Sequence, residues 1–396
     1  MAAKGMRKIK LKEVCDRITV GHVGPMADKY TPEGVPFLRS QNITAFGLNL
    51  DDIKFVPPDF HEKLRKSALQ AGDVAVVRTG YPGTACVIPN TFTELNCADL
   101  VVITPSKELN PYYLAAIFNS AWGVASVAGN LVGVAQQHFN IGAAREMEVS
   151  LPPRPTQDRI AGILSAYDEL MENSQRRIRL LEAMARALYR EWFVHFRFPG
   201  HEKLPRVASP LGEIPKGWEV RTVEEMVKRI PVGKKYDQKT VNAKGVVPVF
   251  DQGKSGIIGY HDGEPGVAAS ESSPVVVFAN HTCYQRLIHF PFSAIQNVLP
   301  FLPSSSLPRN IYWLHWATNG LIVFNDYKGH WPEFAAKNLV VPSADFCQRF
   351  GDFVAPLSRR ILKLERVIEN LRRTRDLLLP RLLSGQVELA KVEVSA

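Results

Sequence analysis

The chain has 396 residues, 45% of them hydrophobic, which is length and apolar content for two or three packed domains rather than one. Its formal charge of +9 is spread along the chain with no basic tail or block, so charge alone does not single out nucleic acid as a partner. No apolar run approaches the roughly 18–20 residues that cross a bilayer, the basic N-terminus lacks an apolar signal core, and five scattered cysteines without a CxxC pair support neither a disulfide framework nor a zinc site. The expectation is a soluble cytoplasmic protein with reduced thiols.

In chain order, residues 11–18 read as a short amphipathic opening. Strand-like runs follow at 35–37, 74–77 and 101–103, separated by turns such as Gly72-Asp73, Tyr81-Pro82-Gly83 and Pro89-Asn90. Asn110-Pro111 opens a helix carrying Tyr112, Leu114 and Phe118, with the proline in its first turn. Pro152-Pro153 close this strand-rich head, 1–152, and launch a long helix, 153–198, that ends in Trp192, Phe193 and Phe196; these aromatics are read as core packing against a head. Pro205, Pro210 and Pro215, with Gly200 and Gly212, read as a hinge within a linker, 199–216. A second head, 217–342, repeats the pattern with runs at 247–250 and 275–278 and a helix at 311–314. Pro342 launches a second long helix, 343–385, which Pro380 and Gly385 are expected to stop, leaving a tail at 386–396.

The two halves are copies. Ile160, Leu164, Tyr167, Met171, Ser174, Ile178, Leu181, Ala185 and Leu188 step by four and three; Phe350, Val354, Leu357, Ile361, Leu364, Ile368, Leu371, Arg375 and Leu378 do the same 190 positions later. Such spacing keeps side chains on one helix face and, held over four heptads, marks a coiled-coil seam. Upstream, Glu13, Arg17 and Ile18 fall on Glu225, Arg229 and Ile230 at an offset of 212, and Lys4-Gly5 on Lys216-Gly217. Residues 74–77 match 275–278 at 201, Tyr112 and Leu114 match Tyr312 and Leu314 at 200, and Leu151-Pro152 meet Val341-Pro342 at 190, so the offset is read as only falling. The expected fold is α+β: two strand-rich α/β heads separated by two long antiparallel coiled-coil helices of about 55–65 Å, related as an internal pseudo-two-fold repeat. Arg176, Arg177, Arg179, Glu182 and Arg186 on one helix, and Arg359, Arg360, Arg366, Arg372, Arg373 and Arg375 on the other, are placed on outer faces.

Particular phrases then resemble a known family. The run from Leu211 through Glu219 (LGEIPKGWE), following the Trp192-Phe193 helix end, resembles the join between halves of type I restriction-modification DNA specificity subunits, and so does the close from Leu377 to Gly385 (LLLPRLLSG). The run from Leu151 to Gln157 looks like that family's entry into its first helix, while 245–252 and Asn280-His281-Thr282-Cys283 are similar to phrases in its recognition domains. The resemblance covers essentially the whole chain in order. It implies a chain without catalysis of its own: double-stranded DNA with a split sequence is read by two recognition domains, and the antiparallel helices set the gap and dock two methyltransferase subunits. Those partners would carry S-adenosylmethionine; two motor-nuclease subunits with ATP and magnesium would be added where the complex also restricts. No Asn/Asp-Pro-Pro-aromatic motif, GxGxxG on a βαβ unit, GxxxxGK[ST] or HExxH occurs, in keeping with cofactors borne by partners.

Base edges call for bidentate groups, Arg for guanine and Asn or Gln for adenine, while Lys, Arg, Ser and Thr serve phosphates. In the first head the clusters that qualify are Arg39, Gln41 and Asn42 (with Ser40), then Arg78, Thr79 and Tyr81, then Gln136, Gln137 and His138. The matching places in the second hold Asp251, Gln252 and Lys254, then Asn280, His281, Tyr284, Gln285 and Arg286, then Lys328 and His330. Each follows a strand or precedes a long helix, where loops of one edge converge. Arg39 stands opposite Asp251 and Arg78 opposite Ala279, which suits heads that read different half-sites. Plainer roles compete: Arg39 closing a turn or pairing with Asp51, His138 and His330 as structural histidines, Tyr81 and Tyr284 as core. Two other function classes fit the same outline, a coiled-coil scaffold with protein-binding heads and a self-sufficient nuclease or methyltransferase with a degenerate motif. A specificity chain of a related methyltransferase-based defence system is a nearer alternative.

Overall fold

The computed structural model describes residues 5–131, 138–253, 256–307, 309–326 and 328–387. Two compact units divide the chain: one contains residues 1–174 and 367–396, the other 175–366. Each unit therefore holds one head and one half of each long helix.

In the first unit the opening is not one amphipathic piece. Arg7–Lys10 and Cys15–Val20 are strands flanking a single 3-10 turn, Leu11–Glu13, because Leu11 and Val14 are drawn into the core between them. Cys15–Val20 is an edge of a four-stranded antiparallel sheet, followed by Leu100–Pro105, Val74–Val77 and Ala85–Val87. Val74–Val77 is buried on both faces, which is why it reads as an unbroken apolar run rather than an alternating one. Val35–Leu38 lies between Lys54–Val56, antiparallel, and Asn96–Cys97, parallel. Helix Pro111–Asn119 starts where the Asn110 side chain accepts from the amides of Tyr112 and Tyr113, with Pro111 needing no partner for a missing N–H.

The second unit repeats this plan by itself. Its four-stranded sheet runs Val227–Arg229, Val298–Pro303, Val275–Ala279, Gln285–Ile288. Val247–Phe250 again lies between an antiparallel neighbour, Ile257–His261, and a parallel one, Ser293–Ile295. Asn310 caps helix Ile311–Thr318 as Asn110 caps its counterpart. Strand register repeats the sequence offsets: Arg7 pairs with Leu151 and Glu219 with Val341, preserving 212 and 190, and Val74 pairs with Val87 as Val275 does with Ile288, preserving 201. Gly5 and Gly217, matched at 212, both adopt positive φ (92° and 88°) at the turn before the first strand. The offset does not only fall. Val77 pairs with Leu100 and its counterpart Phe278 with Leu299, an offset of 199 just before the 200 of the capped helices, so one residue enters between strand and helix in the second head.

The long helices run Arg154–Tyr189 and Ala344–Leu383. The first ends earlier than its aromatics imply: a π turn, Arg190–Val194, closed by the His195 amide on the Arg190 carbonyl at 2.8 Å, swings Trp192 and Phe193 into the second unit's core. There Phe193 meets Phe350 at 5.2 Å and Trp218 at 5.7 Å between ring centroids. Pro380 does not stop the second helix, which passes through both Pro356 and Pro380. The lost hydrogen bonds are outweighed by the apolar face the helix buries, and the true stop is Gly385 at φ 70°, with its amide on Leu382 and that of Gln386 on Arg381. The residues read as a hinge instead form a hairpin, Arg206–Ser209 with Gly212–Pro215, after which Trp218 stacks on Phe198 at 5.3 Å.

Within each unit the helix segments pack in opposite directions. In the second, Tyr189 touches Phe350 at 6.0 Å between ring centroids, whereas Leu181, two turns earlier, lines a groove with Leu364, nearly four turns later. In the first, Asp168 meets Arg375, while the earlier Ile160, Ile163 and Leu164 join the later Leu379 and Leu382 in one core with Tyr113, Phe118 and Leu151. All nine seam positions of each helix are buried or half-buried. Arg375 is thus a seam residue and not an outer-face one. Its guanidinium donates to Asp168 at 2.6 Å, to Asp376 at 2.9 Å, and lies 4.6 Å over the Phe46 ring. Burial outweighs that guanidinium and raises the Asp168 carboxyl above its ordinary range. Such a pair adds little net stability yet is costly to halve. Arg375→Ala should lower stability by about 2–4 kcal/mol in denaturant titrations, whereas Arg375→Leu combined with Asp168→Leu should be nearly neutral; a harmless single change would show the pair is not buried in solution.

Candidate nucleic-acid interface

In the first head, the loops after Val35–Leu38 and Val74–Val77 meet around a cleft of about 720 Å³ lined by Tyr30, Arg39, Gln41, Thr79, Tyr81 and Asp99, among others. The two strands belong to different sheets, and the cleft is where the loops that follow them meet. Arg39 pairs with Asp52, not Asp51, at 2.9 Å, and its guanidinium lies 5.9 Å over the Tyr30 ring. Gln41 donates to the same carboxylate at 3.1 Å. Lys54 and Arg39 hold the Asp52 carboxyl down at about 2, so it stays ionised across the physiological range. Tyr81 is 85% exposed and is no part of the core. Arg78 lies 3.6 Å from Asp99, and its carbonyl accepts the Phe139 amide at 3.1 Å, which brings His138 beside it. Thr79 is half-buried on the cleft wall. Gln136 and Gln137 lie outside the described residues.

Asn42 is different. It is buried, its Oδ1 accepts the Arg39 amide at 2.9 Å and its Nδ2 donates to the Asn49 carbonyl at 2.9 Å. Its polar atoms close the loop, so it shapes the Arg39 turn and does not reach a groove.

In the second head all three sequence clusters are knitted together. The Gln252 side chain accepts the His281 amide at 2.8 Å, and the Thr282 hydroxyl donates to the Gln252 carbonyl at 2.5 Å. His281 Nδ1 donates to the Lys328 carbonyl at 3.0 Å, and Asn280 accepts the amides of His330 and Trp331 at 2.9 and 2.8 Å. Arg286 donates to the Gly253 carbonyl and stacks over Tyr284 and Phe250 at 4.8 and 5.3 Å. Asp251 is turned back on its own loop, accepting the Gly253 amide at 2.9 Å. Lys328 is exposed with its ammonium 3.8 Å from Glu333, and Tyr284 is partly exposed. Lys254 lies outside the described residues.

Two of the second-head candidates are internal. His330 is wholly buried and donates from Nε2 to the Asp326 carbonyl at 3.0 Å. Gln285 is buried against helix Ile311–Thr318, donating to His315 Nδ1 at 3.1 Å and to its carbonyl at 2.8 Å. Gln285 is held inside by a helix 30 residues further on, whereas His330 takes the structural role its sequence also allows, its ring held by a carbonyl 4 residues earlier. The residues that sequence reasoning missed are Tyr30, Asp52, Asp99 and Thr282. Asp99 had a signal: it and Asn297, each just before the matching strand, both occupy left-handed turns (φ 53° and 68°) that Asp and Asn tolerate.

Among the described residues one group places metal-ligand atoms within 4.8 Å of one another, His61, Glu62 and Glu94. The Asn96 amide donates to His61 Nδ1 at 3.0 Å, so the other ring nitrogen carries the hydrogen and points it at Glu94, 3.9 Å away. No lone pair faces the carboxylates. No helix among the described residues is long and apolar enough to cross a membrane.

Comparison with known proteins agrees with this geometry. Residues 3–183 match the family described as type I restriction modification DNA specificity domain. The MjaIX type I restriction enzyme specificity subunit of Methanocaldococcus jannaschii is 26% identical over 271 residues, 63% of this chain and 62% of that protein. The EcoR124I/EcoR124II specificity subunit of Escherichia coli is 26% identical over 135 residues, 30% of this chain and 33% of its own length. The S subunit of a type I restriction-modification system from M. genitalium shares the fold, with a TM-score of 0.56 at 15% identity over 96% of both chains. The chain thus resembles type I restriction-modification specificity subunits, by a family match over residues 3–183 and by the relatives above. Its matches span less than two thirds of each of these curated relatives' lengths.

The Gln285–His315 contact carries a pH dependence. Burial, and then neighbouring His289, push the His315 imidazole down to about 4 from an ordinary 6.5. The unfolded chain takes up that proton first, so stability is complete above about pH 6.5 and falls as pH drops toward 4, by up to about 3 kcal/mol. Urea titrations at pH 7 and 5 should show a clearly smaller loss in His315→Gln than in the wild type; equal losses would remove His315 as the cause.

Proposed function

We propose that this chain is the DNA-reading component of a type I restriction-modification complex, each head recognising one half of a split double-stranded sequence. The observation that supports this most directly is the convergence of loops at matched strand ends in both heads, built on one backbone plan but furnished with different side chains. Arg39, Gln41 and Tyr81 line the cleft in one, with Arg78 beside it against Asp99; Gln252, Tyr284, Arg286 and Lys328 are linked through one loop cluster in the other. Arginine, glutamine and asparagine suit base edges and lysine suits phosphates.

In this reading the long helices act as a spacer and as docking sites for two adenine methyltransferase subunits, with motor-nuclease subunits joining where the complex restricts. Half-sites must be met on a consistent helical phase, near multiples of about 34–36 Å. Helices of 36 and 40 residues rise about 54 and 60 Å. S-adenosylmethionine would belong to the methyltransferase and ATP with magnesium to the motor. The chain itself contributes recognition and not catalysis, and it works in the cytoplasm where the DNA is.

Mapping methylated adenines in cells that express the chain with its partner methyltransferase tests the reading. The expected result is a two-part motif with a fixed unspecified gap. Adding one heptad to each long helix lengthens it by about 10 Å and should change that gap, about three base pairs being the equivalent length. A motif without a gap, or a gap that ignores the insertion, would defeat the spacer role.

A further inference from the structure

Asp99 lies between strands Asn96–Cys97 and Leu100–Pro105, and Asn297, one residue out of register with it but likewise just before a strand, lies between Ser293–Ile295 and Val298–Pro303. Both hold left-handed backbone, and both use the carbonyl to tie down a site loop. Asp99 accepts the Ser40 hydroxyl at 3.3 Å, and Asn297 accepts the Asn280 amide at 2.9 Å. The frame is common to the two heads; the charge is not. In the first, the Asp99 carboxylate faces the Arg78 guanidinium at 3.6 Å. In the second, strand register matches the pair to Ala279 and Val298, which lie opposite each other, so both charges are gone together.

The pair is poorly suited to a purely structural role. A single contact at 3.6 Å, with Asp99 half exposed, contributes little to stability. Arg78 Nε is buried without a hydrogen-bond partner, and the side chain, 15% exposed, follows Val77 and precedes Thr79, both of which line the cleft together with Asp99. The guanidinium is a five-donor fork that this carboxylate meets at one nitrogen only, leaving donors available. Guanine offers two acceptors, O6 and N7, on its major-groove edge, and a fork held in one plane matches them. An unheld arginine would have to lose its side-chain freedom on each encounter.

We infer that Asp99 is a specificity-determining positioning residue, which orients Arg78 toward a guanine in the half-site read by the first head and has no equivalent in the second. This rests on the proposal that the heads read DNA. Arg78 makes the base contact; Asp99 acts through it.

Selection of bound duplexes from a random pool, using the full chain assembled with its methyltransferase partner, tests this. Wild-type complex should show a strong guanine requirement at one position of one half-site. Asn tolerates left-handed backbone, as Asn297 does, so Asp99→Asn should fold, with thermal melting as the check. It should reduce the guanine preference at that position about tenfold and leave every other position and the gap unchanged. Arg78→Lys should lower the preference at the same position at least as far, because a point charge lacks the fork. The inference is overturned if Asp99→Asn keeps the wild-type preference, weakens all sequences alike, or alters a position that Arg78→Lys does not. If the wild-type complex selects no sequence, the DNA-reading proposal itself fails and takes this inference with it; a selected motif untouched by Asp99→Asn sinks the inference alone.

Discussion

Everything in this molecule depends on a seam between two helices that lie some 190 residues apart in sequence. Ile160, Ile163 and Leu164 share one apolar cluster with Leu379 and Leu382 and with the head residues Tyr113, Phe118 and Leu151. In the other unit Ala185, Phe350 and Val354 share a cluster with Trp218, Phe278 and Trp313. A strand-rich head of this size has one face of its sheet and one face of its helix to cover, and turns of two long helices cover them. The first unit is for that reason built from two separate stretches of chain, and the second takes in the end of one long helix and the start of the other.

This explains why boundaries drawn at residues 152 and 342 do not correspond to the compact units. Those positions are where the backbone leaves a strand and enters a helix, marked by prolines. Packing ignores that change and continues into the first turns of one helix and the last turns of the other. Chemistry on the seam follows the same rule. Arg375 sits where an apolar residue would be expected, and it is accommodated because Asp168, Asp376 and the Phe46 ring surround its guanidinium.

The candidate interface has a comparable logic. A shared frame of strand ends, left-handed turns at Asp99 and Asn297, and carbonyls that receive loop donors positions each head's loops. Side chains on that frame then differ freely. Arg39 leans on Asp52 and Tyr30, whereas the matched Asp251 folds back on Gly253. A duplicated scaffold can in this way present unlike polar surfaces without altering its core.

Periodicity alone determined the helix seam, the order of elements and the repeat, because those properties arise from local spacing: 3.5 residues for a seam, uninterrupted apolar runs for doubly covered strands, and capping pairs such as Asn110-Pro111. The offsets of 212, 201 and 190 survive as strand register for the same reason. Only the tertiary structure decided which polar residues near strand ends face outward. Asn42, Gln285 and His330 look in sequence like Gln41 and Lys328, yet they are inside, since a polar group may be buried once the folded backbone brings partner atoms to it. The passage of a helix through Pro356 and Pro380 was likewise invisible locally, because the apolar contacts that outweigh a missing hydrogen bond come from residues about 200 positions away.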